Sequence, residues 1–394
     1  MNFKIKKSFY KYIFIFIFFI YLLVYPSFVL AISRRVYLED FVMQNYHESS
    51  GGFYEYRGNS STSVDTSILA TKCSLSILSR LDILKSKILD DSSKSVRTKN
   101  YLKDELAPSI TENNTIKISY ILEGLKLLDA ISDIDMSIKN DIYTYLSKLK
   151  RTYDGLVGYT LTPNENQSAT VVGTYFAIKI YYYLGDLNII DKTGIINYVK
   201  SCLKDAKIGK GFQSNTTSGI ISLENTFAAI SILKILDSVT ELSTNEKDQI
   251  INYLDSFYNN NSDDKINYGG YSFYIEDEIK LSTFLATYYA TITRYNLYSS
   301  YIPSDITIKW ILDHQNPDDG GFMDNILPGL EQHSSTVISY YAVEILYLKD
   351  SELKFLDQSV WSIDINWWLI FGILILTVGI LIAIIIKYKR RTRI

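Results

Sequence analysis

The chain has 394 residues and a formal net charge of −3 at pH 7. Because it has no surplus of basic residues, the composition gives no reason to expect nucleic acid binding. Only two cysteines occur, Cys73 and Cys202, which excludes a small scaffold held by many disulfide bonds. Both lie in apolar helical patterns, so we expect two buried free thiols; a single Cys73–Cys202 bridge is the alternative.

The N-terminus has the pattern of a secretory signal peptide. Four lysines within the first 11 residues precede an apolar run over residues 12–24, and Pro26 ends that run. Val29 and Ala31 then offer small or medium side chains at the positions that a signal peptidase reads. We predict a signal peptide over residues 1–31, removed after Ala31. An uncleaved membrane anchor is the alternative.

The C-terminus has the pattern of a transmembrane helix. No residue is charged between positions 367 and 386, which is long enough to span a bilayer as a helix. Trp361, Trp367 and Trp368 stand near its start, and five Lys or Arg residues follow it. Since positive charge stays in the cytoplasm, we predict a membrane helix over residues 365–386 and a cytoplasmic tail over residues 387–394. The protein is then a single-pass protein of the cell membrane, with residues 32–355 outside the cytoplasm.

Between these ends, a glycine-aromatic stretch recurs, followed by a polar loop and a helical apolar run. The five copies are residues 51–53, 155–159, 209–212, 269–271 and 320–322. Each apolar run has a hydroxyl residue near its start, which we call the anchor hydroxyl. The anchors are Thr71, Ser119, Thr174, Thr226, Thr287 and Ser339. The copy at Ser119 has no glycine stretch. Second apolar helices are predicted over residues 138–149, 193–203, 246–257 and 305–313, so the chain contains about six helix pairs.

The fullest copy of this repeat shows a family resemblance. It reads Gly320-Gly321-Phe322-Met323-Asp324, then Ser334-Ser335-Thr336, then Tyr340-Tyr341-Ala342-Val343. This pattern resembles the prenyltransferase and squalene-cyclase repeat, and the resemblance covers residues 45–350. It implies an all-α fold, an α/α toroid in which inner helices form a barrel and outer helices surround it. A single C-terminal transmembrane helix is added to that fold.

The resemblance does not bring a complete metal or acid site with it. Protein prenyltransferases of this family hold zinc with Asp, Cys and His; His333 lies near the expected histidine, but residues 269–290 contain no cysteine. The Asp-X-Asp-Asp acid of terpene cyclases is absent, and Asp133-Ile134-Asp135 only partly matches it. A cationic cluster for a prenyl diphosphate is not evident either, since Lys148, Lys150 and Arg151 suit a helix C-terminus. We therefore expect no metal and no cofactor.

Acidic residues recur before the predicted inner helices, where a toroid gathers them at one end of its barrel. They are Asp65, Glu165, Glu224, Glu276, Asp277, Glu278, Asp324 and Glu331. Paired carboxylates serve as acid and base in glycoside hydrolysis, so Glu278 and Glu331, together with His333, are the candidate catalytic residues. The alternative is that these acids stabilise helix starts. Asp318-Asp319 has likewise two interpretations, a cation site or an ordinary turn, and the turn is preferred.

Two functional hypotheses remain open. One is a surface-displayed binding or scaffold protein with a tyrosine-lined pocket for a lipid, a glycan or a protein. The other is an enzyme of the toroid superfamily that acts on an isoprenoid or a polysaccharide through carboxylates at the barrel mouth. Five Asn-X-Ser/Thr sequons permit glycosylation. They begin at Asn59, Asn113, Asn166, Asn215 and Asn260.

Overall fold

The computed structural model describes residues 33–56, 66–217, 219–274, 280–324 and 333–359. Residues 33–358 form one compact unit. The predicted signal peptide, membrane helix and basic tail lie outside the described residues. Within the described ranges, no helix has both the length and the apolar character needed to cross a bilayer.

Thirteen α-helices, numbered in chain order, make up most of the described chain. Six of them form an inner layer. They are α2 (Ile68–Arg80), α5 (Thr115–Leu127), α7 (Val171–Leu184), α9 (Leu223–Ile235), α11 (Phe284–Leu297) and α13 (Thr336–Lys349). Six others form an outer layer. They are α1 (Arg34–Gln44), α3 (Ser92–Asp104), α6 (Met136–Leu149), α8 (Lys192–Ser201), α10 (Thr244–Asp255) and α12 (Asp305–Asp313). The short helix α4 (Leu106–Thr111) lies between α3 and α5.

The inner helices close into a ring. Each packs against the inner helix before it and the one after it, and α13 packs against α2. All six anchor hydroxyls fall within inner helices, and the four predicted second helices coincide with α6, α8, α10 and α12 to within two residues at each end. The predicted α/α toroid of six helix pairs is therefore confirmed for the described chain.

Two short β-hairpins were not expected from the all-α prediction. Strand β1 (Lys150–Tyr153) pairs antiparallel with β2 (Leu156–Tyr159), and β3 (Leu203–Asp205) pairs antiparallel with β4 (Lys210–Phe212). Each hairpin turns the chain from an outer helix back toward the next inner helix. Asp154 and Gly155 both have positive φ at the first turn, which is the conformation that an Asp-Gly hairpin turn adopts.

The anchor hydroxyl joins the glycine stretch to the inner helix in five repeats. Each anchor oxygen accepts the backbone N–H of the aromatic residue in its stretch, at 2.9–3.1 Å. The pairs are Thr71 with Phe53, Thr174 with Tyr159, Thr226 with Phe212, Thr287 with Tyr271 and Ser339 with Phe322. The sixth anchor, Ser119, belongs to the repeat without glycines, and its buried hydroxyl has no hydrogen-bond partner among the described residues.

The second glycine of each stretch lies under an aromatic ring of the next outer helix. A Cβ built on these glycines would lie within 3.0 Å of that ring. The pairs are Gly52 with Tyr101, Gly158 with Tyr198, Gly211 with Tyr253, Gly270 with Trp310 and Gly321 with Phe41. In the last pair the aromatic ring is that of Phe41 on α1. The same contact that links neighbouring repeats therefore also joins the sixth repeat to the first. Glycine is required here because no side chain fits between the two layers.

Candidate functional site

The residue after each anchor hydroxyl faces the centre of the barrel. One residue is a rotation of about 100° around a helix, so an anchor that bonds to its glycine stretch, outside the barrel, turns its successor inward. These six residues, which we call the central ring, are Lys72, Tyr120, Tyr175, Phe227, Tyr288 and Tyr340. Five of them are aromatic and one is a lysine.

The side chains of the central ring contact one another around the barrel. The Tyr175 and Phe227 ring centroids are 5.6 Å apart, Phe227 and Tyr288 are also 5.6 Å apart, and Tyr288 and Tyr340 are 5.9 Å apart. The ammonium nitrogen of Lys72 lies 3.6 Å from the centroid of Tyr340 and 5.9 Å from that of Tyr120. These separations are typical of aromatic pairs and of cation–π contacts. Tyr120 and Tyr175 are linked through Phe176, whose ring centroid lies 5.9 Å from that of Tyr120 and 5.2 Å from that of Tyr175. Aromatic side chains thus surround the centre of the barrel, except where Lys72 places its charge.

A cavity of about 60 Å³ lies within the central ring. Its walls come mainly from the N-terminal halves of the inner helices, and Cys73, Lys179 and Glu224 are among the lining residues beyond the central ring. A space of this size holds a few water molecules, whereas pockets for drug-sized ligands are about 300–1,000 Å³. The cavity as it stands therefore has room for the end of a ligand.

Two lysines and one glutamate form a buried cluster at the cavity floor, which we call the floor cluster. The Lys72 Nζ lies 3.1 Å from Glu123 Oε1, and the Lys179 Nζ lies 2.8 Å from Glu123 Oε2. The side chain of Lys72 is only 4% exposed, that of Glu123 15% and that of Lys179 10%. The cluster carries two positive charges and one negative charge, so one positive charge is in excess.

The pKa values in the floor cluster are set by a balance of burial and charge. Burial opposes ionisation of Glu123, but Lys179 and Lys72 outweigh it and lower the pKa of this carboxyl to about 2. Burial likewise disfavours the charged lysines, yet Glu123 holds the pKa of both Lys72 and Lys179 well above the usual value. All three groups are therefore ionised at neutral pH.

The floor cluster was not predicted from the sequence, which showed no evident cationic cluster for a prenyl diphosphate. Lys72 and Lys179 lie far apart in the chain, on α2 and α7, and the ring closure brings both to Glu123 on α5. No local run of basic residues marks the floor cluster. The available signal was a lysine at the one central-ring position where every other repeat has an aromatic residue. As predicted, the basic residues near position 150 belong to a helix end, since Arg151 donates to the carbonyl oxygen of Lys148 at 2.8 Å.

Of the candidate catalytic residues, Glu278 and Glu331 lie outside the described residues. His333 is exposed and stands three residues before the first residue of α13. No described contact places its ring in the central cavity, whose lining contains other residues. The structure therefore leaves the roles proposed for these three residues as predictions.

Of the other acids, Asp65, Glu276 and Asp277 also lie outside the described residues, and the rest divide between solvent, helix starts and the cavity. Glu165 is exposed, and the Asp324 carboxylate accepts the backbone N–H of Phe284 at 3.0 Å, at the start of α11. Burial raises the pKa of Asp324, and this hydrogen bond opposes the shift. Glu224 is the acid that lines the cavity in the described part of the chain, and burial raises its pKa. The acidic mouth predicted from the sequence is therefore reduced there to one carboxylate.

The pair Asp318-Asp319 forms a turn, as preferred from the sequence. The Asp319 carboxylate accepts the backbone N–H of Gly321 at 3.0 Å and the hydroxyl of Ser334 at 2.6 Å. The N–H of Asp318 donates to the side chain of Asn316. These bonds use the side-chain oxygens to fix the glycine stretch under α1.

Both cysteines are buried free thiols, as predicted. Burial raises the pKa of Cys73 to about 12 and that of Cys202 to about 11. Cys73 lies in the cavity wall on α2, and Cys202 follows the outer helix α8. Within the described ranges no three His, Cys, Asp or Glu side chains come together as metal ligands. Among the described residues, neither thiol is placed with a histidine as a metal ligand, as the zinc site of protein prenyltransferases requires.

Several solved structures share this fold. Protein geranylgeranyltransferase-I from Candida albicans, complexed with GGPP, matches with a TM-score of 0.55 at 19% identity, over 74% of this chain and 86% of its own. The GH76A alpha-1,6-mannanase from Salegentibacter sp. HEL1_6 matches with a TM-score of 0.51 at 14% identity, over 82% and 98%. At these identities the similarity establishes the fold alone. No curated protein matches the sequence.

The sequence itself matches a family description. The prenyltransferase alpha-alpha toroid domain matches residues 97–263 and 203–370, which together span more than half of the chain. This region contains five of the six inner helices. The resemblance seen in the glycine-aromatic repeats is thereby confirmed, and the chain belongs to the prenyltransferase alpha-alpha toroid domain family.

Proposed function

We propose that this protein is a membrane-anchored, extracytoplasmic binding module whose barrel receives the end of a glycan. The observation that carries the proposal is the central ring, five aromatic faces and one lysine around a cavity of about 60 Å³. Aromatic rings offer apolar surface to the carbon-bound hydrogens of a sugar, and tyrosine hydroxyls can bond to sugar hydroxyls. The fold is also that of an alpha-1,6-mannanase, which is consistent with a glycan ligand.

The floor cluster argues against an isoprenoid chain in this cavity. An isoprenoid tail would have to lie against Lys72 and Lys179, two ammonium groups that are costly to cover with hydrocarbon. The open volume of about 60 Å³ is also small for such a chain. A polar ligand avoids both problems because its own oxygen atoms can accept hydrogen bonds from the lysines.

The described lining also argues against glycoside hydrolysis at the cavity. That chemistry needs two carboxyl groups, one of which gives up a proton. Glu224 is the lining acid of the described residues, and the pKa of Glu123 is too low for a proton donor at neutral pH. A binding role requires no second carboxylate, so the described geometry fits it better.

The location proposed for the domain is the outer face of the cell membrane. The support is the sequence of the two ends, a signal-like segment before residue 32 and an apolar run over residues 365–386 followed by basic residues. The test is protease treatment of intact cells that express the full chain with a tag at its C-terminus. Loss of the domain with retention of a short tagged fragment is expected. A domain that stays protected until the cells are lysed contradicts this orientation.

The binding proposal is tested with the full chain in detergent micelles and a panel of neutral and acidic oligosaccharides, using native mass spectrometry. We expect a retained sugar for the wild type and a loss of at least tenfold in affinity for Tyr175→Ala. The matched control is Tyr153→Ala, because Tyr153 is 75% exposed on a hairpin away from the cavity lining. Failure of the wild type to retain any sugar in the panel contradicts the proposal.

The alternative is a toroid-family enzyme that acts on a polysaccharide or an isoprenoid. It is favoured by Glu224, a cavity-lining acid whose pKa is raised by burial, as a proton donor requires. If the panel shows turnover, Glu224→Gln, Glu278→Gln and Glu331→Gln identify the acids involved. Unchanged turnover in all three variants excludes these carboxylates from the reaction.

A further inference from the structure

The floor cluster has an unequal charge count that its described partners do not balance. Lys72 and Lys179 share one carboxylate, Glu123, and each takes one of its two oxygens. Moving an ion out of water costs several kcal/mol even after the protein relaxes. Cation–π contacts with the nearby aromatic rings offset about 0.5–2 kcal/mol of this cost. One positive charge is therefore only partly compensated.

The lysines also have donor capacity left for a ligand. An ammonium group has three N–H donors and no acceptor. The structure describes one carboxylate, Glu123, as the ion-pair partner of both groups. Lys72 in addition faces the ring of Tyr340, at 3.6 Å from the centroid. A second carboxylate would supply two more acceptor oxygens and bring the net charge of the cluster to zero.

The site is also accessible from the cavity. Lys72 and Lys179 are both lining residues, whereas Glu123 lies behind them and is not. A group that enters the cavity therefore meets the two ammonium groups first. The volume of about 60 Å³ suits one small oxyanion group with its hydration shell removed. The sugar ring of the ligand then requires the aromatic side chains of the central ring to move apart, because they enclose this same volume.

We infer that the floor cluster receives the carboxylate of an acidic sugar, held between Lys72 and Lys179 while the sugar ring packs against the central ring. This inference rests on the proposed glycan binding and adds its chemical class. Charge-assisted hydrogen bonds from two ammonium groups are stronger than neutral ones. The two buried lysines disfavour an uncharged sugar, because such a sugar would cover the excess positive charge without pairing with it.

The test uses the full chain in detergent micelles and isothermal titration calorimetry with four probes. Sodium glucuronate and glucose compare an acidic with a neutral sugar; sodium acetate and inorganic phosphate test whether a small oxyanion alone suffices. We expect glucuronate to bind at least tenfold more tightly than glucose, and more tightly than acetate or phosphate. Lys179→Met is expected to abolish the preference for glucuronate over glucose. The control Lys309→Met removes a lysine that is 74% exposed on an outer helix and is expected to change nothing.

A lysine variant can fail to fold because Glu123 then keeps only one partner. The double variant Lys179→Met/Glu123→Gln removes one charge of each sign, and circular dichroism checks that it remains folded. We expect it to keep a preference for glucuronate, because Lys72 then carries the one uncompensated charge, whereas the single variant, in which Lys72 pairs with Glu123, loses that preference. Equal affinity of the wild type for glucuronate and glucose overturns the inference while glycan binding stands. Tighter binding of acetate or phosphate than of glucuronate also overturns it. Binding of none of the sugars, here or in the oligosaccharide panel, removes the proposed function as well.

Discussion

The ammonium group of Lys72 lies 3.6 Å from the ring centroid of Tyr340, and this contact joins the first inner helix to the last. A bidentate pair links the same two helices further along, where Arg80 donates two hydrogen bonds of 2.8 Å to Glu344. Lys72 also reaches Glu123 on the second inner helix. One buried side chain thus takes part both in closing the ring and in forming the cavity floor, so the site depends on the closed toroid.

Removal of the Glu123 carboxylate is expected to destabilise the fold strongly. Glu123→Gln leaves two buried ammonium groups without a counter-charge, and breaking a buried pair in this way costs about 3–5 kcal/mol. The control Glu241→Gln breaks a pair with Lys200 that is largely exposed, with an expected cost below about 1 kcal/mol. Urea unfolding of both variants, followed by circular dichroism, makes the comparison. Equal losses of unfolding free energy in the two variants would show that the floor cluster stabilises the fold no more than an exposed ion pair does.

The same carboxylate predicts how stability depends on pH. The pKa of Glu123 is lowered by its two lysines from an ordinary value of 4.5 to about 2 in the folded protein. The contribution of Glu123 to the free energy of unfolding is therefore fully present above pH 4.5 and is lost as the pH falls toward 2. The difference in unfolding free energy between wild type and Glu123→Gln is expected to shrink across this range. A difference that stays constant between pH 6 and pH 3 contradicts the assignment.

The anchor hydroxyls predict opposite outcomes for two similar substitutions. Thr226→Val removes the acceptor of the Phe212 N–H, a 3.1 Å bond in a buried position, and leaves that donor unsatisfied at a cost of about 1–3 kcal/mol. Ser119→Ala removes a buried hydroxyl that has no partner among the described residues, and it is expected to be neutral or stabilising. Thermal unfolding of the two variants distinguishes them. A destabilisation by Ser119→Ala as large as that by Thr226→Val is the contrary result.

Alanine substitutions at two glycines with positive φ distinguish backbone strain from steric conflict. Gly320 and Gly155 have φ values of +85° and +76°, so alanine at either position carries a strain of about 1–2 kcal/mol. A Cβ at Gly320 would also lie 2.4 Å from the backbone of Tyr37 on α1, whereas no atom lies within 4 Å of one at Gly155. Gly320→Ala is therefore expected to cost about 1–3 kcal/mol more than Gly155→Ala. Equal costs in urea unfolding would mean that α1 does not pack on the last repeat.

The cysteines provide a chemical test of the barrel interior. Burial raises the pKa of Cys73 to about 12 and that of Cys202 to about 11, and the thiolate is the reactive form. We expect neither thiol to react with iodoacetamide at pH 8 in the folded protein, and both to react in guanidinium chloride. Rapid alkylation of Cys73 before unfolding would show that the cavity wall is open to solvent.

The repeat architecture could be predicted because each repeat has its own local signals. Capping residues and anchor hydroxyls recur near every inner helix, glycine stretches precede five of the six, and each acts on its own neighbours in the chain. The hairpin at Asp154-Gly155 also had a local signal, which an all-α prediction passed over. The repeat around Ser119 was the weakest in sequence. It has no glycine stretch, and its anchor lies five residues after the cap Asn114, whereas Thr174 lies four residues after the cap Thr170.

The site could not be predicted in the same way because it depends on contacts between distant repeats. Lys72, Glu123 and Lys179 come from three repeats, and each by itself is a charged residue in an apolar helix. Only ring closure brings them together, and their burial then makes the excess charge significant. The acids before the inner helices were easier to find. Asp324 shows why they were misleading, since its carboxylate bonds to the start of α11 and not to the cavity.

The most direct test of the central claim is a structure of the full chain in micelles solved with the oligosaccharide that it retains. The account predicts density for a sugar against Tyr175 and Phe227, with an acidic group between Lys72 and Lys179. Density for the sugar elsewhere on the molecule, with water alone in the central cavity, would contradict it.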